Sequence, residues 1–168
     1  KMNTPNKKKF TCLRQVDNWG KILRNHRFDK STFEPETMLE TMPSASPKMQ
    51  RLFDQIKALD KRDMRKHGKK FKHFIFSDVK AQGYGAKILA AAFIAQGYHL
   101  VFNDQFKINP SSGKDNFGVL SSTALYGKPF SQKLKKNLLK TYNTRPDNVY
   151  GKNIRIIIFD SGFKEGID

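Results

Sequence analysis

Residues 154–168 read IRIIIFDSGFKEGID, and the reading of this stretch decides the fold. Ile154, Ile156, Ile157, Ile158 and Phe159 make an apolar run that a solvent-facing tail does not need and a buried strand does. The run passes directly into a polar turn, Asp160–Asp168, which holds two glycines and three acids. In an open α/β sheet, ligands bind at the loops that follow the carboxyl ends of the strands. Asp160–Asp168 is therefore the first candidate for a site.

Working outward from there, HFIFSDV (73–79) predicts a short buried strand, and KAQGYGA (80–86) a turn. AKILAAAFIAQG (86–97) is apolar nearly all round and ends on Gly97, so it predicts a buried helix with a glycine at its C-terminal cap. YHLVF (98–102) predicts a second strand, residues 103–116 a polar loop with Pro110 and Gly113, and FGVLSST (117–123) a third strand. SQKLKKNLLKTYN (131–143) predicts a helix capped by Ser131, with Leu134, Leu138, Leu139 and Tyr142 inward and Lys133, Lys135, Lys136 and Lys140 outward. Upstream, Ser46 and Pro47 open another helix, along which Met49, Leu52, Phe53, Ile56 and Leu59 share one face. Strands alternating with helices predict the α/β class: a mainly parallel sheet with helices on both faces, over residues 46–168. Residues 1–45, with Pro5, Pro35 and Pro43, are expected to form a basic, irregular or helical extension, not an independent core.

Charge narrows the partner. Lys plus Arg number 32 against 15 Asp plus Glu, a formal net charge of +17. Charge separates the chain into two parts: 19 basic against 8 acidic residues in 1–72, net +11, and 13 against 7 in 73–168, net +6. Such a balance is foreign to a typical metabolic enzyme; it attracts polyanions, and nucleic acid is the expected partner. A merely solubilising basic surface is the plainer alternative. Cys12 is the only cysteine, which excludes an intramolecular disulfide and a cysteine metal site and suits a reducing compartment. No apolar run approaches the ~20 residues that span a bilayer, and the basic opening lacks the apolar core of a signal peptide, so no membrane partner is expected. The Lys-Met opening is that expected of a piece of a longer chain.

Several motifs can be weighed for chemistry. FSDVKAQGYGAKI follows a strand and opens a helix, but Gly83, Gly85 and Lys87 give neither G-x-x-x-x-G-K-[ST] nor G-x-G-x-x-G. The glycines are better explained by a tight turn and close helix packing; Ser77 and Asp78 remain placed to meet a ligand or to hold that turn. His26, His67, His73 and His99 have no metal-ligand spacing, and Trp19 and the phenylalanines show no alternating platform for stacking bases; most of them are expected in the core. In SSTALYGKPF, three hydroxyls, Ser121, Ser122 and Thr123, follow a buried strand and Lys128 lies close behind, a pattern that can hold a phosphate or cap the next helix.

The order of these pieces, from SPKMQRLFDQI through HFIFSDV, AQGY and LSSTALYGKPFSQKLKKNLLKTYN to IRIIIFDSGFKEGID, resembles the second RecA-like lobe of superfamily 2 helicases and translocases. It is most similar to Snf2-type ATPases and to the nucleoside triphosphate phosphohydrolase and early-transcription-factor helicases of large DNA viruses. TCLRQVDNW (11–19) also resembles the segment leading into that lobe. The resemblance implies that Phe74–Asp78 is motif IV and Asp160–Asp168 motif V. It implies nucleic-acid backbone contacts from Ser77, Ser121, Ser122, Thr123, Ser161 and Gly162, and places Gly166 and Asp168 near ATP. This chain has Asp160 where many relatives have Thr, so either Ser161 takes that phosphate contact or the acid braces the loop. ATP with Mg²⁺ would be bound mainly by a first lobe that these residues do not contain, and the arginine motif would follow motif V. The implied partners are DNA or RNA, that first lobe, and viral transcription machinery in a viral factory or virion. Alone, the segment is expected to hydrolyse nothing. The alternative is a non-enzymatic, basic nucleic-acid-binding or virion structural module derived from such a lobe.

Overall fold

A computed structural model of the chain describes residues 7–80 and 83–163. Its elements are α1 (Lys7–Asn18), α2 (Pro35–Ala45), α3 (Pro47–His67), β1 (His73–Ser77), α4 (Ala86–Ala95), β2 (His99–Leu100), β3 (Asn116–Leu120), α5 (Gln132–Asn143) and β4 (Ile156–Asp160). The strands form one sheet in the order β1-β4-β3-β2, with every strand parallel to its neighbour. The α/β architecture expected from the alternating pattern is what the chain adopts. The isoleucine run is the reason: β4 is an inner strand, and Ile156, Ile157 and Ile158 are fully buried on both of its faces.

Local chemistry sets the element ends. Ser46 and Ser131 each accept the amide three residues on, from Met49 (3.2 Å) and Leu134 (3.1 Å), and so cap α3 and α5. α4 closes in a Schellman motif around Gly97 (φ 89°), with the Gly97 amide bonded to the Ile94 carbonyl and that of Tyr98 to Phe93. Three strands are shorter than the sequence pattern predicts, β1 ending at Ser77 and not at residue 79. β2 stops at Leu100; beyond it the Asn103 side chain accepts the amides of Gln105 and Lys107, turning the chain so that Phe102 bridges antiparallel to Ile108. β3 stops at Leu120 because the Ser121 hydroxyl accepts the Thr123 amide (3.1 Å) and bends the backbone out of the ladder.

The sheet is covered on both faces. Phe117 of β3 meets Phe93 of α4, with ring centroids 5.5 Å apart, and Phe93 in turn meets Phe53 of α3 at 4.7 Å. The next residue of β3, Gly118, points the other way: a Cβ there would lie 3.4 Å from Leu138 of α5 and 3.0 Å from the Ile157 side chain. The chain runs from β1 to the far edge at β2, then back through β3 to β4, and this reversal puts α4 and α5 on opposite faces. Residues before Ser46 join the same core: Trp19, Met38 and Met42 are fully buried in the cluster that includes Phe53 and Phe93. Pro47 occupies the first turn of α3, as the sequence implied, and Pro35 opens α2 in the same way, where proline is tolerated.

One charged side chain interrupts the apolar run. Arg155, only 2 % exposed, sits at the foot of β4 and donates from both terminal nitrogens to Asp60 of α3 (2.9 and 3.0 Å). On its other side it donates to Asp115 (3.1 Å), just before β3, and Lys70 reaches the same carboxylate at 2.9 Å. Burial pulls the Asp115 carboxyl upward, but hydrogen bonds and charge from Lys70 and Arg155 prevail and hold it below the usual range. Gly151 permits the approach, since a Cβ there would come within 2.7 Å of the Arg155 side chain. Removing one partner of a buried pair strands the others without compensation. Arg155→Ala is therefore expected to lower the unfolding free energy by about 3–5 kcal/mol in urea titrations. A loss below about 1 kcal/mol would reduce the network to the worth of a surface ion pair.

His73 opens β1 beside this network, its Nε2 3.7 Å from Asp60. Burial and the Arg155 charge lower its pKa, although Asp60 acts the other way. Between that lowered value and the ordinary value of about 6.5, the unfolded chain binds more protons than the folded one, so stability rises with pH. The contribution is complete above about pH 6.5 and is lost as pH falls through the folded value. His26, lowered mainly by burial, acts in the same direction. His73→Gln should flatten the dependence of the urea midpoint on pH below 6.5 without abolishing it.

Candidate functional site

β1 sends its following loop to α4 on one face, β3 sends its loop toward α5 on the other, and β4 lies between them. A crevice at the carboxyl ends of the strands is the consequence, the place where ligands bind in open parallel sheets. In register across this edge stand Ser77 of β1, Asp160 of β4 and, one residue past the end of β3, Ser121.

Asp160 organises the edge. It is buried, and its carboxylate accepts the Ser122 amide (2.9 Å) and the Ser121 hydroxyl (3.5 Å) on one oxygen and the Gly162 amide (3.0 Å) on the other. A threonine hydroxyl has one oxygen and could not repeat this arrangement, in which each loop bonds its own carboxylate oxygen. Its hydrogen bonds make the acid a brace: it ties the loop after β3 to the loop after β4. Gly162 is held so close that a Cβ would sit 2.3 Å from Ser122 Cβ.

The sequence-derived contact residues separate into two groups. Ser121 is buried and bonds Thr123 through their hydroxyls (2.9 Å). Ser77 is buried too; its hydroxyl lies 3.2 Å from the Val79 carbonyl and accepts the Asn18 side-chain amide at 3.3 Å. Asn18 also donates to the Tyr84 carbonyl (2.8 Å) and accepts from Lys48 (3.2 Å), so α1, α3 and the β1–α4 turn meet at one side chain. Ser77 and Ser121 thus shape the edge from within. Ser122 and Gly162 are exposed and Thr123 and Ser161 half-buried, so these four present the edge to solvent. Gly166 and Asp168 lie outside the described residues.

A cavity of about 470 Å³ adjoins Thr123, lined among others by His26, Arg27, Asp29, Tyr84 and Lys87. Lys87 is not poised for a phosphate: it pairs with Asp29 (3.0 Å) and donates to the Ala124 carbonyl (3.0 Å). Asp29 also accepts the Tyr126 amide at 3.3 Å, so residues 124–126 are pinned from below by this pair. Burial first, then the Asp29 and Asp104 charges, push the Tyr126 hydroxyl up to about 12. Gly85 serves packing as the sequence implied, because a Cβ there would meet the Val79 carbonyl oxygen at 1.8 Å. Nothing in the local sequence around Asp29 marks its role. The described residues of this edge do not fit Mg²⁺: both Asp160 oxygens are engaged by the loops, and no group of three metal-ligating side chains lies together among the described residues.

Comparison with protein-family models, with curated proteins and with solved structures returns no match.

The brace predicts a specific coupling. Gly162→Ala should destabilise the fold, because the new methyl overlaps Ser122, and Ser122→Gly should recover part of the loss in the double variant. A coupling of about 0.5–3 kcal/mol in urea titrations is expected for residues in contact. Strict additivity would mean that the two loops do not constrain each other.

Proposed function

We propose that this chain is the second lobe of an ATP-dependent nucleic-acid helicase or translocase, its carboxyl-edge loops forming part of the backbone track and one wall of the ATP cleft. The observation that carries the reading is the joined pair of loops, 121–123 and 160–162, at the switch point of an all-parallel sheet in a chain of net charge +17. The solvent-facing hydroxyls of these loops suit a phosphate backbone and carry no base code. The lobe supplies grip and a hinge-facing surface. Triphosphate and Mg²⁺ belong, in this reading, to a first lobe elsewhere in the parent protein, which would be a viral transcription motor in a reducing compartment.

Binding to single strands should be sequence-tolerant and should weaken steeply between about 50 and 200 mM salt. Ser161→Asp places a negative charge among the exposed loop residues and should reduce affinity several-fold at matched salt. Lys136 is exposed on α5, two residues from each of the buried leucines Leu134 and Leu138, so it points away from the sheet. Lys136→Ala should cost little beyond a screened charge. Should Lys136→Ala lose more affinity than Ser161→Asp, with both variants folded by circular dichroism, α5 would be the nucleic-acid face and the motor reading would yield to a basic binding module.

A further inference from the structure

The sheet carries an aromatic surface that the sequence pattern conceals. β1 is an edge strand whose side chains alternate between a half-buried and an exposed face. Ile75 packs toward the core, while Phe74 and Phe76 are 48 % and 49 % exposed. The strand expected to be buried over 73–79 is exposed at these two positions. The reason is the placement of α5: Leu138 sits over Gly118 of β3, and Tyr142 at the end of the helix meets the Phe74 ring at 5.0 Å. Phe159 of β4, half-buried, fills the gap between the two rings, 5.7 Å from Phe74 and 5.2 Å from Phe76.

Cations stand at the foot of this surface. Lys72, the residue two before Phe74, places its ammonium 4.1 Å over the Tyr142 ring and donates to the Tyr142 carbonyl at 2.7 Å. Burial first, then the charge of nearby Arg145, lower the Lys72 pKa, which records two cations close together. At the other end, Phe76 and Phe159 adjoin Ser77 and Asp160, the start of the loop edge described above.

We propose that Phe74, Phe76 and Phe159 form a stacking platform for the bases of single-stranded nucleic acid, continuous with the phosphate-contacting loops at the carboxyl edge. The proposal rests on the nucleic-acid reading of those loops and extends it from backbone to bases. A net charge of +17 opposes pairing of this face with a second copy of the chain and favours a polyanion. Aromatic rings beside a cationic track are the combination that holds single strands without reading sequence. Residues two apart on a strand are separated by about 6.6 Å. That is roughly twice the ~3.4 Å rise of a stacked duplex strand, so the surface fits unstacked bases and not a helix.

The test is fluorescence anisotropy with an oligo-dT of about 16 nucleotides and a duplex of equal length, at several salt concentrations. The Phe74→Ala/Phe76→Ala double variant should bind the single strand at least about tenfold more weakly, given 1–3 kcal/mol per stacked base. The slope of log affinity against log salt should not change, because no cation is removed. Duplex binding should change less than twofold. Phe76→Tyr should retain single-strand affinity and Phe76→Leu should lose it, which separates a π surface from a merely apolar one. Photo-cross-linking of a bromouracil oligonucleotide to the unaltered protein should map to residues 73–77. If the unaltered protein binds single strands and the double variant binds equally well, the platform is wrong while the loop reading stands. If the unaltered protein binds no strand, both fall. If the double variant instead turns a dimer into a monomer in sedimentation, the face is an interface between copies and the proposal is overturned.

Discussion

Arg155 is the constraint on which the arrangement depends. A guanidinium buried at the foot of an inner strand must find carboxylates, and the two it finds come from α3 and from the turn before β3. These segments are distant in sequence, and the pairing fixes how α3 lies against the sheet and where β3 starts beside β4. An apolar residue in that position would pack without choosing partners. The ion network chooses them, because a carboxylate placed elsewhere would leave a buried charge uncompensated.

β4 is pinned at its other end as well. Asp160 closes the apolar run as Arg155 opens it, and each gathers backbone or side chains from neighbouring segments: the one joins α3 to the β3 approach, the other joins two loops at the carboxyl edge. The isoleucines between them supply burial and slide freely in principle, since one aliphatic neighbour is much like another. The two charges remove that freedom of register. The solvent-facing residues of the candidate site, exposed Ser122 and Gly162 and half-buried Thr123 and Ser161, consequently sit on a braced base although they belong to loops.

Much of this was legible in the sequence because hydrophobic periodicity reports burial directly. The isoleucine run implied a buried strand, the alternation of strands and helices a parallel sheet, Ser46 and Ser131 announced their helices, and Gly97 its C-terminal turn. Strand ends were not legible at Asn103 and Ser121, where a side chain competes with the ladder for backbone amides, and pattern alone does not weigh that competition. A charge inside IRIIIF was itself a signal that Arg155 must be paired, but its partners lie 95 and 40 residues away, beyond any local pattern. The same limit hid Asn18 and Asp29. Sequence position did place the candidate residues at the carboxyl edge of the sheet. It could not separate Ser77 and Ser121, whose hydroxyls face inward, from Ser122 and Ser161, which face solvent. Phe74 and Phe76 misled for a related reason: apolar character marks what prefers burial, and only the path of α5 decides whether anything covers it.

The placement of Trp19 carries a spectroscopic consequence. It is the only tryptophan, fully buried, edge-on to His26 at 5.3 Å, and it belongs to the segment that precedes α3 and is held to the sheet partly through the neighbouring Asn18. Its emission therefore reports the docking of that segment and not the integrity of the strands. Far-ultraviolet ellipticity averages over the whole chain. A denaturation curve followed by both signals distinguishes a segment that peels away first from one that melts with the lobe, and so shows whether the extension and the sheet are one cooperative unit.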